Sequence, residues 1–247
     1  MRAVHQPTPL PLLRTELTLA RLRRSVRGTV RSFAPRASLG PPGGPPQAVH
    51  VVLAGLVSLA WTADDGRQAI LTVAGPGGVI GQETVIPIGA SAPASSESAP
   101  SDPSASSDHL VEARALVPST TLALPASELR GALHRDPLIA VWLAESLSRR
   151  MRTLERAMIR LLSLPVRERV LEVLSELALT HGERHPWGTV VQVPLCQDDI
   201  AALVCATRET VNRTLRRLEA SGEVRRVDGA YALYSPILDQ APEPGIS

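Results

Sequence analysis

Residues 197–215 read Gln-Asp-Asp-Ile-Ala-Ala-Leu-Val-Cys-Ala-Thr-Arg-Glu-Thr-Val-Asn-Arg-Thr-Leu. The spacing predicts a short amphipathic helix over Gln197–Val204, with Ile200, Leu203 and Val204 inward. Cys205-Ala206-Thr207 follows as a three-residue turn. A second helix is expected over Arg208–Ala220, with Val211, Leu215 and Leu218 as its buried stripe. Thr207 has the hydroxyl of an N-cap, and Gly222 fits the position just past the C-cap. Next come an extended run Val224–Val227, the turn pair Asp228-Gly229 and a second run Ala230–Tyr234, which together read as a β-hairpin. Helix, tight turn, helix and hairpin make a winged helix-turn-helix.

That arrangement presents the start of its second helix to the major groove of DNA. The side chains there are Arg208, Glu209, Asn212 and Arg213. An arginine fork can pair with guanine O6 and N7, and a glutamate can accept from cytosine N4. Arg216, Arg217, Arg225 and Arg226 add cations where phosphates would run. Over residues 207–226 six arginines face three glutamates, so the segment is net positive although the whole chain carries only +2. Arginine content alone is weak evidence, because this chain has no lysine and Asn212 as its one asparagine, a bias expected of a GC-rich genome.

The 247 residues leave room for one large or two modest domains, and 44% hydrophobic content supports real cores. Aromatics make up 2%, so Leu, Val, Ala and Ile must fill those cores. Cys196 and Cys205 are too few for a disulfide framework, an iron–sulfur cluster or a cysteine zinc site, and a reducing cytoplasm is the expected setting. No apolar run reaches membrane-spanning length, so no membrane partner is expected. Residues 10–32 loosely mimic a transit peptide, but Pro9 and Pro11 favour an ordinary helix, about Leu12 to Val26.

Short strands follow at close spacing: Val30–Phe33, Val49–Leu53, Leu56–Trp61, Arg67–Val73 and Val79–Gly81. They predict a small antiparallel barrel or sandwich. Residues 89–108 are Ser-, Ala- and Pro-rich and are expected to be a disordered insert between strands. Two more strands are expected over Leu110–Leu124, and the chain turns helical from Leu129. Leu143, Leu147, Met151, Leu154, Met158 and Leu161 then recur with spacing 4-4-3-4-3, a coiled-coil seam from Leu147. Two partners fit the stripe, the chain's own barrel or a second copy. Pro165 is expected to open the next helix as its first residue.

The run Asp199–Leu215, with its Arg-Glu-Thr-Val-x-Arg core at Arg208–Arg213, resembles the Crp/Fnr regulators. The resemblance spans roughly residues 30–236 and extends to Ala54–Val57, Asp65–Leu71 and Gly78–Gly81. It implies an α+β chain with a cyclic-nucleotide-binding-like antiparallel β-roll at residues 30–135 carrying the insert 89–108. A tail and helix at 1–29 precede it. A dimerisation helix at 136–163, a winged helix-turn-helix at 164–236 and a disordered tail at 237–247 follow. It also implies base contacts from Arg208, Glu209 and Arg213 to a TGTGA-like half-site. DNA-backbone contacts would come from Gln197, Asp198, Thr207, Thr210, Asn212, Arg216 and Arg217. It selects the homodimer for the seam, and double-stranded DNA and RNA polymerase as partners.

The chain departs from the family where cyclic nucleotide would bind. A Gly-Glu pair is expected there, but Gly81 is followed by Gln82, with Glu83 one place later. The family's Arg-Ser position falls near His109 and Leu110. Without that arginine a phosphate loses its bidentate partner. Gly81, Gln82, Glu83, His109 and Leu110 therefore read as a degenerate pocket, with no cofactor and cyclic AMP not the effector. His50 and His109 are candidate haem ligands, although a lone histidine is more often an ordinary satisfied residue. Cys196 stands where the family has Ser or Thr as helix cap; a thiol there suggests a redox or small-molecule sensor acting through protein contacts as the competing reading. No P-loop, HExxH or GxSxG motif is present, and no catalytic pairing suggests an enzyme.

Overall fold

The computed structural model describes residues 10–41, 47–63, 65–85, 111–186 and 188–234. The expected insert 89–108, the tail 237–247, His109 and Leu110 lie outside them. The chain divides into two compact units. One comprises residues up to Val57 together with Val73–Met151; the other comprises Ser58–Thr72 with the residues from Arg152 onward.

In the first unit, helix α1 (Leu10–Ser25) leads into strand β1 (Thr29–Phe33). Strand β2 (Ala48–Ala54) follows; β3 (Val57–Thr62) and β4 (Gln68–Ala74) come next in the chain but fall mostly in the second unit, and the short β5 (Val79–Ile80) returns to the first. A 3-10 turn at Gln82–Thr84 comes next, then β6 (Val111–Ala115) and β7 (Ser119–Pro125). One sheet has the order β1-β7-β2-β5, antiparallel throughout, with Val49 opposite Leu124 and Val51 opposite Leu122. Period-2 alternation sends Val49, Val51, Leu122 and Leu124 to one face. There they pack with Leu22 of α1, with Val26 just past its end, and with Leu129 and Ala132 of helix α2 (Ala126–Arg135). Helix α3 (Pro137–Ser163) adds Ile139, Trp142 and Leu143 to the same core. Each such Leu or Ile contributes about 1.5–3 kcal/mol by leaving water.

His50 is buried in β2, with Nδ1 2.9 Å from Thr121 Oγ1 across the β2–β7 pair. Its ring meets Phe33 edge-on, the centroids 6.0 Å apart. It is a satisfied core histidine. Burial, then the Arg31 charge, pushes its pKa down to about 4. The native state therefore holds His50 neutral, and the unfolded chain takes up its proton first as acid is added. The resulting stability is complete above the ordinary value of 6.5 and is lost as pH falls from there toward about 4, amounting to about 3 kcal/mol. Urea unfolding at neutral pH and near pH 4 measures it, and His50→Gln is expected to flatten that difference.

In the second unit, β3 and β4 form a hairpin whose turn is tied by the Arg67 N–H to Asp65 Oδ1 at 3.1 Å. Helix α4 (Val166–His181), strands β8 (Gly182–His185) and β9 (Gly188–Val191), helices α5 (Gln197–Val204) and α6 (Arg208–Ala220), and strands β10 (Val224–Val227) and β11 (Ala230–Tyr234) complete it. The sheet order is β10-β11-β9-β8. Pro165 is the N-cap of α4 with ψ 160°, not its first helical residue: the extended ψ keeps it outside the helix by one place.

One expectation changes on α3. Leu143 is 2% exposed and belongs to the core, so it is not part of a seam. The reason is register: spacing 4 from Leu147 puts it one place before the heptad position occupied by Ala144. Leu147, Met151, Leu154, Met158 and Leu161 remain 37–63% exposed, an apolar stripe along the helix. Among the described residues no helix is long and apolar enough to cross a membrane, and no His/Cys/Asp/Glu group could hold a metal ion.

Candidate nucleic-acid interface

Helix α5 starts at Cys196, which has extended backbone geometry. The Asp199 carboxylate accepts the Cys196 backbone N–H at 2.8 Å, reaching back from the third helical position. This contact makes good the weak cap that a cysteine in place of Ser or Thr implies. The helix ends at Cys205, whose φ of 48° is left-handed, and its N–H bonds the Ala201 carbonyl. Ala206 N–H bonds the same carbonyl at 3.0 Å. The inter-helix turn is thus built by a non-glycine residue in a sparsely populated region, held by two backbone hydrogen bonds to the Ala201 carbonyl. Arg169 of α4 donates to the Val204 carbonyl oxygen at 2.7 Å, placing a cation at the α5 C-terminus.

Thr207 caps α6: its Oγ1 accepts the Thr210 N–H at 3.3 Å and lies 2.9 Å from Thr210 Oγ1. Thr207→Ala removes that acceptor and is expected to cost about 0.5–2 kcal/mol, read as a lower urea midpoint. Val211, Thr214, Leu215 and Leu218 are buried, and the Thr214 hydroxyl donates to the Thr210 carbonyl at 2.8 Å. Gly222, with φ 76°, closes the helix where a side chain would be strained.

The opposite face of α6 points to solvent. Arg208, Glu209, Arg213, Arg216 and Arg217 are exposed, while Thr210 and Asn212 are half-buried. Among the flanking residues, Thr207 and Asp198 are exposed and Gln197 is half-buried. Asp198 Oδ2 lies 3.6 Å from Arg208 Nη1, with both side chains more than half exposed, so the pair orients Arg208 without removing it from water. The first two turns of one helix thereby gather cations, a carboxylate and an amide on one accessible face.

The hairpin beside α6 matches the expected residues. Val224 pairs with Leu233 and Val227 with Ala230, and Asp228 and Gly229 carry φ of 50° and 85°, the primed turn geometry. Arg225 and Arg226 are exposed along β10. Arg226 is held in place: it donates to the Tyr231 hydroxyl at 2.6 Å, its guanidinium sits 4.8 Å from that ring's centroid, and Glu219 lies 3.5 Å away. The wing is tied back by Glu223, whose carboxylate accepts from Arg167 of α4 at 2.6 Å and from Ser221.

The cysteines are free. Burial pushes the Cys205 thiol up, and the nearby Arg169 offsets this in part. A raised thiol is a poor thiolate source, so Cys205 lacks the environment of a reactive cysteine.

In the first unit, Gln82 and Glu83 of the expected pocket are engaged by the chain itself; His109 and Leu110 lie outside the described residues. Gly81 has φ 85° and precedes the 3-10 turn. Gln82 is buried. Arg150 of α3 donates to Glu83 Oε2 at 2.8 Å and lies 3.5 Å from Gln82 Oε1. Arg130 of α2 donates to the Val85 carbonyl at 3.0 Å and to that of Thr84 at 3.3 Å. Sequence reasoning missed both arginines. The only sequence signal for Arg150 is that it continues the core-facing series Ile139, Leu143 and Ser146 by one more turn.

A helical bundle of this form, with a capped second helix and a paired hairpin, defines a winged helix-turn-helix regulator. The Crp-like helix-turn-helix domain family matches residues 168–234. The chain is 30% identical over 192 residues to a cyclic AMP receptor protein of Thermus thermophilus, covering 78% of this chain and 77% of that one. It is 28% identical over 193 residues to a CRP-like cAMP-activated global transcriptional regulator of Mycobacterium tuberculosis, covering 78% of each. In fold it is similar to the c-di-GMP responsive global regulator CLP of Xanthomonas campestris, with TM-score 0.70, 24% identity and 89% and 99% of the two chains covered. This chain belongs to the Crp/Fnr family of transcriptional regulators.

Proposed function

We propose that the chain acts as a homodimer that reads a pseudo-palindromic site with TGTGA-like arms. Arg208, Glu209 and Arg213 contact bases, and Gln197, Asp198, Thr207, Thr210, Asn212, Arg216 and Arg217 lie toward the DNA backbone. The observation that carries this reading is the exposed cluster on the first turns of α6, with Thr207 capping the helix and Asp198 beside Arg208. Two-fold symmetry would set one α6 in each of two successive major grooves. RNA polymerase is the proposed protein partner, and the cytoplasm the proposed setting.

We propose further that cyclic AMP is not the effector and that no cofactor is held. Support comes from Gln82, which stands in place of the family's glutamate, and from Glu83, whose carboxylate already pairs with Arg150. The named relatives include cAMP-activated and c-di-GMP responsive proteins, so both nucleotides are the right challenge.

Fluorescence anisotropy with a labelled TGTGA palindrome tests the reading. Binding is expected to be tight without nucleotide, unchanged by cyclic AMP, and steeply weakened by salt, as phosphate neutralisation requires. Binding that needs cyclic AMP would overturn the effector proposal, and equal affinity for a scrambled duplex would overturn the site.

A further inference from the structure

We infer that Arg150 is shared between two carboxylates, Glu83 of its own chain and Glu155 of a second copy, so that the contact from α3 to the 3-10 turn competes with the closing of the α3 seam.

This inference rests on the homodimer reading and adds a partner contact to it. With Leu147, Met151, Leu154, Met158 and Leu161 alternating 4 and 3 apart, Met151 and Met158 take the a positions and Leu154 and Leu161 the d positions. Arg150 then occupies a g position and Glu155 the following e position. In a parallel two-stranded coil, a g residue faces the e residue five places on in the other strand. Arg150 of each subunit would therefore face Glu155 of the partner subunit, and two-fold symmetry makes the contact twice. The other flanking positions from Ser148 to Leu162 are Ser148, Ala157 and Leu162, which carry no charge. The one complementary pair thus fixes both orientation and register. An antiparallel seam would set g against g and bring Arg150 against its own copy, a repulsion.

The exposed stripe is apolar and the flanking charges are self-complementary, which argues for a second copy of this chain as its occupant. Glu155 is exposed, and among the described residues it makes no ion pair. Arg150, by contrast, sits where two faces of α3 meet. It follows the buried series that ends at Ser146, and its guanidinium is held by Glu83 at 2.8 Å. A guanidinium that turns toward the partner must loosen Glu83, and anything that draws Glu83 away releases Arg150 to the seam.

Sedimentation equilibrium of the full chain tests this. Glu155→Arg sets two cations against each other on both sides of the seam and is expected to weaken dimerisation roughly ten-fold or more. Arg150→Glu is expected to do the same, and the exchange of both residues, Arg150→Glu with Glu155→Arg, to restore the dimer to within about three-fold of the original. Glu83→Gln is expected to tighten the dimer, because Arg150 loses its competing partner. Leu154→Asp serves as the reference that breaks the seam itself. If Leu154→Asp leaves the dimer intact, the homodimer reading through α3 fails. If Leu154→Asp yields monomer while Glu155→Arg behaves as the unaltered chain, or the double exchange fails to rescue, the ion pair alone is overturned. If Glu83→Gln changes nothing, the competition is overturned.

Discussion

Arg208→Ala is expected to weaken binding to the palindromic site by about 1–3 kcal/mol per half-site, or about 2–6 kcal/mol when both subunits carry it. That corresponds to a loss of roughly thirty-fold to twenty-thousand-fold. Thr207 caps the helix immediately before Arg208, so the arginine projects from the first turn, where a recognition helix meets base edges. Its companion Asp198 is exposed and 3.6 Å away, a contact that positions the guanidinium at little cost in charge. Preference should relax at one base pair per half-site while the salt dependence stays nearly the same. Arg216→Ala should do the reverse, lowering affinity for all sequences and the salt slope by about one. A variant at Arg208 with undiminished specificity would remove it from the base-reading set.

Leu215→Ala should be the most damaging single change to the reading domain itself. Leu215 is buried at 2% exposure on the stripe that α6 shares with Val211 and Leu218. Truncation leaves a cavity and costs about 2–5 kcal/mol. For a domain of this size that lowers the melting temperature by roughly 10 °C or more. Leu215→Met keeps the volume and is expected to cost less than about 1.5 kcal/mol. Thermal unfolding followed by circular dichroism separates the two; equal midpoints would show that α6 does not depend on this side chain for its seat.

Legibility from sequence tracks the range of the interactions. The hairpin Val224–Tyr234 was readable to the residue because its turn is set by two adjacent residues, Asp228 and Gly229. The bounds of α5 and α6 were readable because caps are local: Thr207 acts within three residues and Gly222 within the last turn. The weak cap at Cys196 is visible in the sequence, but the compensating reach of Asp199 to its backbone N–H shows only in three dimensions. Cys205 in a left-handed conformation carries no sequence signal, since cysteine has no preference for that region. Leu143 was misassigned because an apolar residue four places before the seam fits both an extra seam position and the core-facing stripe; burial separates them. The partner of Glu83 was illegible for another reason. Arg150 lies 67 residues further along the chain, and no local pattern encodes that pairing. The residues proposed to meet DNA are thus the legible ones, and those that tie up the 3-10 turn are not.

We propose that these exposed side chains of α6 read a specific duplex in a symmetric dimer that needs no cyclic nucleotide. The most direct measurement is a titration of the TGTGA palindrome at physiological salt, without nucleotide, with stoichiometry from native mass spectrometry. The account predicts two chains per duplex and an affinity at least about a thousand-fold above that for a scrambled duplex. A single chain per duplex, or no preference between the two duplexes, would contradict it.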